Sequence, residues 1–188
     1  MKAKSQNTIK NESSQKLNKF LEDKNVHKKD FAQMIGVTLS YVYSLIDNTV
    51  PFSSRGTTLE RIAIVMGIKP EEFMEYTPSD EPKIIDIGIQ LLQHKQKRLG
   101  MSNVDFLRKF PKNKRTEIVD LWRGALPLPL DWNNLMNICY ILDVSADEIF
   151  PYWQSRMQQH MIAGGIDVIS NTDLVDAIFE AARKQIGV

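Results

Sequence analysis

The chain has 188 residues, a formal net charge of +1 and a single cysteine. That leaves room for two domains of about 70 residues each, excludes an internal disulfide framework and fits a reducing cytoplasm. No apolar run approaches the roughly 18 residues of a membrane span, and nothing resembles a signal peptide, so no membrane partner is expected. His27, His94 and His160 are scattered, and neither a phosphate-cradling glycine loop nor a nucleophile–base pair occurs; no metal, no cofactor and no enzymatic activity are expected.

Helix signals dominate in chain order, and the fold class expected is all-α. Residues 1–12 are polar and lysine-rich and read as a flexible arm. Ser13 or Ser14 can cap a first helix with Leu17, Phe20 and Leu21 on one face. Lys28 to Ile35 puts Phe31, Ala32 and Ile35 on one side, and Gly36 follows as a left-handed stop. Thr38 then caps a third helix whose inner face is Val42, Leu45 and Ile46. Thr57-Thr58-Leu59-Glu60 reads as a capping box for a fourth, with Leu59, Ile62, Ala63 and Met66 inward and Gly67 as its stop. Pro70 suits the first turn of a short fifth helix that buries Phe73.

Much of this is then repeated about seventy-five residues later. Val26-His27-Lys28-Lys29-Asp30-Phe31-Ala32 is answered by Met101-Ser102-Asn103-Val104-Asp105-Phe106-Leu107. Leu59, Ile62, Ala63, Ile68 and Phe73 are answered by Leu135, Ile138, Cys139, Val144 and Ile149, with one residue inserted between. Two small domains built alike are expected. They divide the chain into 13–76, a linker at 77–83 that is acidic and carries Pro78 and Pro82, a second unit at 84–152, and a helical extension at 153–188. Cys139, aligned with Ala63, reads as buried filler.

Two short helices joined by a tight turn, with Ala32, Gly36, Val37, Val42 and Leu45 so spaced, form a specific pattern. From Val26 to Asn48, with a fit extending through Phe73, the first unit resembles the lambda-repressor/Cro-like (XRE) helix-turn-helix family. The resemblance implies two tandem five-helix DNA-binding domains, the second divergent, whose third helices enter the major groove of double-stranded DNA. It implies that Leu39, Ser40, Tyr43 and Ser44 at the start of the third helix face base edges, with the capping Thr38 also among the DNA-binding residues. Lys28 stands where the family places a phosphate contact, and Asn48, Thr49 and Arg55 would anchor the flanking backbone. The third helix lacks Arg, Gln and Asn, the residues that read bases bidentately.

In the second unit the Gly-Val turn is replaced by Pro111-Lys112-Asn113. A third helix follows with Ile118, Leu121 and Trp122 inward and Gly124 as its stop. Lys112, Lys114, Arg115 and Thr116 at its leading end, and Arg123 at its tail, are candidate DNA contacts, opposed by Glu117 and Asp120. Lys112, Lys114 and Arg115 belong to a basic belt: Lys95 to Arg115 holds eight Lys/Arg and one acid, whereas residues 71–86 hold six acids and one lysine. Three readings stay open for this unit: a DNA reader, a nonspecific backbone clamp, or a surface for protein contacts. The loop Ala125 to Leu130 reads as an apolar strap over core. Further on, Pro151 is expected to begin a helix that Gly164-Gly165 breaks. Asn171 or Thr172 caps a last helix with Leu174, Ile178, Ala181 and Ala182 on one stripe, a candidate homodimer face within 153–188. Together these features predict a sequence-specific transcriptional regulator, a repressor, located in the cytoplasm on the nucleoid. The alternative is an interaction adaptor or antitoxin-like regulator whose second unit holds a protein antagonist.

Overall fold

The computed structural model describes residues 12–52 and 56–187, so Arg55 and residues 1–11 of the expected arm lie outside the described residues. The protein is all-α: ten α-helices and two 3₁₀ turns occur among the described residues, with no strand. They form two compact units. One comprises residues up to Lys83 together with Ser102–Leu126, the other Ile84–Met101 together with Pro127–Val188. Residues 77–83 and 102–126 therefore lie in the first unit, so the compact units are not the sequential blocks 13–76 and 84–152.

The first unit contains α1 (Glu12–Asp23), α2 (Lys28–Ile35), α3 (Leu39–Ile46), α4 (Gly56–Met66), a 3₁₀ turn (Pro70–Glu72), α6 (Asn103–Arg108), a second 3₁₀ turn (Lys112–Lys114) and α7 (Arg115–Trp122). Its core gathers Leu17, Phe31, Ala32, Ile35, Val42, Leu45, Leu59, Ile62, Ala63 and Phe73, all buried. The Phe52 and Phe73 rings stack at 5.5 Å. Burying these large side chains is the main favourable contribution to a helical unit this small. α7 packs on α2 and α4, burying Ile118, Val119, Leu121 and Trp122, with Trp122 4.6 Å from Phe106.

Three local expectations change here. α1 begins before Ser13 and Ser14, whose hydroxyls reach Glu75 and the Leu45 carbonyl rather than capping the helix. No capping box forms at α4: the Thr57 hydroxyl donates to Glu81, and the Glu60 carboxylate accepts from Tyr76, Ser79, Lys83 and Arg123. Long-range partners outcompete the local ones because residues 75–83 run across the start of α4. A Cβ on Gly56 would lie 2.5 Å from both the Thr77 carbonyl oxygen and the Ser79 nitrogen, so only glycine fits beneath that segment. The expected fifth helix is one 3₁₀ turn, and it does bury Phe73.

The second unit contains α5 (Ile87–Arg98), α8 (Trp132–Ile141), α9 (Ala146–Ala163) and α10 (Thr172–Ile186). Its core joins Ile89, Leu92, Leu128, Leu135, Ile138, Leu142 and Ile149 to an aromatic cluster of Trp132, Phe150, Trp153 and Phe179. Cys139 is fully buried, and burial pushes its thiol up to about 12. Leu128 straps this core, its N–H bonded to Asp86 at 2.9 Å. Pro151 does not begin a helix; it lies inside α9, which Ser145 starts by accepting from the Glu148 N–H. The Asp147–Glu148 first turn and the Ser145 cap outweigh the backbone bond that proline omits. α10 buries Val175 and Phe179, because Phe179 edges onto Trp153 at 6.2 Å, and it leaves Leu174 61% and Ile178 43% exposed. Asn171 stands at its N-cap without a side-chain cap bond, and the Thr172 hydroxyl donates to the Ile169 carbonyl instead.

Candidate nucleic-acid interface

α2 ends at Gly36 in the left-handed region, φ 72°, where the Val37 N–H returns to the Ala32 carbonyl at 3.0 Å. This stop turns the chain within two residues. Thr38 then accepts the Tyr41 N–H at 3.2 Å and starts α3. Because Val42, Leu45 and Ile46 are held in the core, the helical period forces the opposite face outward. That face carries Leu39 at 37% exposure, Tyr43 at 48%, an exposed Ser40 and a half-buried Ser44. The Lys28 ammonium at the start of α2 sits 5.7 Å from the Tyr43 ring centre. The Lys28 cation and the outer face of α3 thus share one edge of the unit.

The C-terminal end of α3 is closed by the next residues. Asn48 takes φ 55°, and the Thr49 N–H and hydroxyl both donate to the Ser44 carbonyl, at 3.0 and 3.3 Å. These positions fix the path of the chain after α3, and Asn48 is half-buried. Asp47, exposed on the same edge, went unnoticed in the sequence although its charge opposes phosphate.

The five candidates of the second repeat separate into two groups. Lys112 and Lys114 are at the surface: Lys112 pairs with Asp30 at 3.0 Å and Lys114 with Glu117 at 2.9 Å. The Lys112 hydrogen bond holds the Asp30 carboxyl below its ordinary value against the opposing effect of burial. Arg115, Thr116 and Arg123 point inward instead. Arg115 is buried and donates from Nε to the Phe110 carbonyl at 3.1 Å. The Thr116 hydroxyl donates to the Gln33 carbonyl of α2 at 2.7 Å. Arg123 is 5% exposed and pairs with Asp120, Glu60 and Glu81. Thr116 and Arg123 thus tie α7 to α2 and α4, and Arg115 Nε is engaged with the Phe110 carbonyl.

Arg61 completes the arrangement with a bidentate pair to Asp120, at 2.8 and 2.7 Å. Sequence reading treated Asp120 as a surface acid, since nothing local marks a partner fifty-nine positions away. Two cations were passed over although the basic run contains them. Arg108 donates to the Asn25 carbonyl at 2.8 Å, just before α2, and Lys109 is exposed.

Residues 16–79 match the family model of the Cro/C1-type HTH DNA-binding domain. This Cro/C1-type region holds the whole α2–turn–α3 assembly and its core, so the chain carries a helix-turn-helix domain of the DNA-binding kind, with DNA as its implied partner. No match was found among curated proteins or among solved structures. Among the described residues no helix is long and apolar enough to cross a membrane, and no cluster of His, Cys, Asp and Glu could hold a metal ion.

Proposed function

We propose that the protein is a sequence-specific double-stranded DNA-binding transcriptional regulator, acting as a repressor, in the cytoplasm on the nucleoid. The observation that carries this is the outward edge of the Cro/C1-type region: Leu39, Ser40, Tyr43 and Ser44 on α3 beside Lys28. Serine hydroxyls can donate to or accept from several base edges, while Leu39 and Tyr43 can pack against thymine methyls. Thr38 shapes the start of α3, Asn48 and Thr49 shape its end, and Arg55 completes the flanking backbone contacts. Lys112 and Lys114 add phosphate contacts from the second repeat, whereas Arg115, Thr116 and Arg123 serve that face by fixing α7.

The helix order α5 to α9 over residues 84–153 parallels α1 to the 3₁₀ turn after α4, and supports reading the second repeat as a divergent copy. The exposed Leu174 and Ile178 of α10 support a homodimer through 153–188. The second reading is an interaction adaptor or antitoxin-like regulator whose second domain, 84–152, holds a protein partner.

Selection of bound sequences from a random duplex pool tests the DNA reading. An enriched motif is expected, with Ser40→Ala and Ser44→Ala each lowering discrimination by about 1–3 kcal/mol at most per lost base contact. Lys28→Ala should weaken all duplexes alike. No enrichment and no binding at low salt would favour the adaptor.

A further inference from the structure

The second unit holds a cleft that none of the proposed DNA-contacting residues lines. Tyr152, Ser155, Arg156 and Gln159 line it from α9, at a spacing that puts all four on one helical face. Ile84, Ile85, Ile87 and Pro127 line it as well, and the cleft measures about 270 Å³. Gly88 lets α5 approach α9 closely here, since a Cβ would lie 3.0 Å from the Tyr152 Cβ and 3.1 Å from Leu128 Cδ2.

Two features distinguish this cleft from an ordinary solvated groove. Arg156 makes no ion pair among the described residues, and its Nε is buried without a hydrogen-bond partner. The one acid in the lining does not supply the missing acceptor. Asp86 Oδ1 accepts the Ile89 N–H at 3.2 Å and Oδ2 accepts the Leu128 N–H at 2.9 Å. Beside this unpaired cation, Ile85 and Ile87 are 83% and 66% exposed. A buried donor calls for an acceptor, and exposed branched aliphatics call for apolar cover.

We propose that the cleft binds a small aliphatic monocarboxylate. Its carboxylate meets the Arg156 guanidinium, whose N–H fork matches two carboxylate oxygens. The Tyr152 and Ser155 hydroxyls and the Gln159 amide can donate to the remaining lone pairs. The hydrocarbon tail covers Ile84, Ile85 and Ile87. The volume lies at the small end of ligand pockets, which limits the tail to a short chain.

Calorimetric titration of the full chain with hexanoate tests this, with hexanamide and inorganic phosphate as comparisons. Saturable hexanoate binding is expected, at least tenfold weaker for hexanamide and for Arg156→Gln. The exposed double change Ile85→Ser/Ile87→Ser should weaken hexanoate severalfold without moving the unfolding transition. Should Arg156→Gln fail to fold, Arg156→Lys retains the charge without the fork and should bind severalfold more weakly. The proposal is overturned by absent hexanoate saturation, by undiminished binding in a folded Arg156 variant, or by phosphate binding as tightly as hexanoate.

Discussion

Glu60 has few neighbours in sequence that would suggest its surroundings. Its side chain is 3% exposed, yet it receives the Lys83 ammonium, the Tyr76 and Ser79 hydroxyls and the Arg123 guanidinium. Burial alone would raise its pKa; the Lys83 contact, with Tyr76 and Ser79, holds it below the ordinary value of 4.5 instead. Asp120 is alike: burial opposes, and Arg61 and Arg123 together keep it below 3.8. A carboxylate with a depressed folded pKa contributes stability that is complete above its unfolded value and lost as pH falls through the folded one. Urea midpoints should therefore hold from neutral pH to about 4.5 and decline below it, and Glu60→Gln should flatten that decline. An unaltered slope in Glu60→Gln would remove Glu60 as a source of the acid sensitivity. Arg123→Ala should cost about 1–3 kcal/mol, because it removes buried charge-assisted hydrogen bonds from Asp120 and Glu60 while leaving them Arg61 and Lys83, whereas Lys114→Ala at an exposed pair should stay within about 0.5 kcal/mol. Chemical denaturation of the two variants side by side checks the contrast. None of this was legible locally. Glu60 follows Thr57 at capping-box spacing, and only the return of residues 75–83 redirects both side chains.

At the scale of elements, the α2–turn–α3 assembly was readable because each of its signals is local: Gly36 ends one helix, Thr38 starts the next, and the apolar spacing selects the inner face. Helix ends governed by distant partners were not, as α1 shows, where Ser13 and Ser14 reach Glu75 and the Leu45 carbonyl. Nor was the placement of α7 readable, since its amphipathic pattern says that Ile118 and Leu121 are buried but not against what. The contact of α7 with the helix-turn-helix can be tested at Gly36. Alanine there would adopt φ 72° and place its Cβ 2.8 Å from Thr116 Cγ2. Gly36→Ala should lose about 1–2 kcal/mol to the left-handed backbone, with additional loss from the clash. In that background Thr116→Ser removes the methyl and keeps a hydroxyl for the Gln33 carbonyl, so it should restore part of the loss. If thermal unfolding shows no recovery, α7 does not press on the turn as described.

For the whole molecule, the repeat led to an expectation of two tandem units in succession, with DNA reading, backbone clamping and protein contact all open for the second. The compact units are instead interleaved along the chain, and the basic run from Arg108 to Lys114 belongs to the unit that holds α2 and α3. Arg108 is tied to Asn25 and Lys112 to Asp30, both close in sequence to Lys28 and Lys29. On the proposed DNA reading, these basic side chains would therefore form one edge of the first unit rather than serve two separated grooves. Its strength is limited, because Asp30 and Glu117 already partly neutralise Lys112 and Lys114, while Lys109 is in no ion pair among the described residues. Each phosphate contact contributes about 0.9 to the slope of log affinity against log salt. Lys109→Ala/Lys112→Ala/Lys114→Ala should flatten that slope by about one to three units, nearer one if the two acids compete well. The motif preference should persist, since the α3 side chains proposed to read bases are untouched. Arg115 is left out because its loss would unpack α7 and confuse folding with binding. Salt titrations of the triple variant and the parent on one duplex supply the comparison. An identical slope would mean that the basic run is a solvated edge, and the second repeat would then be better explained as a surface for protein contacts.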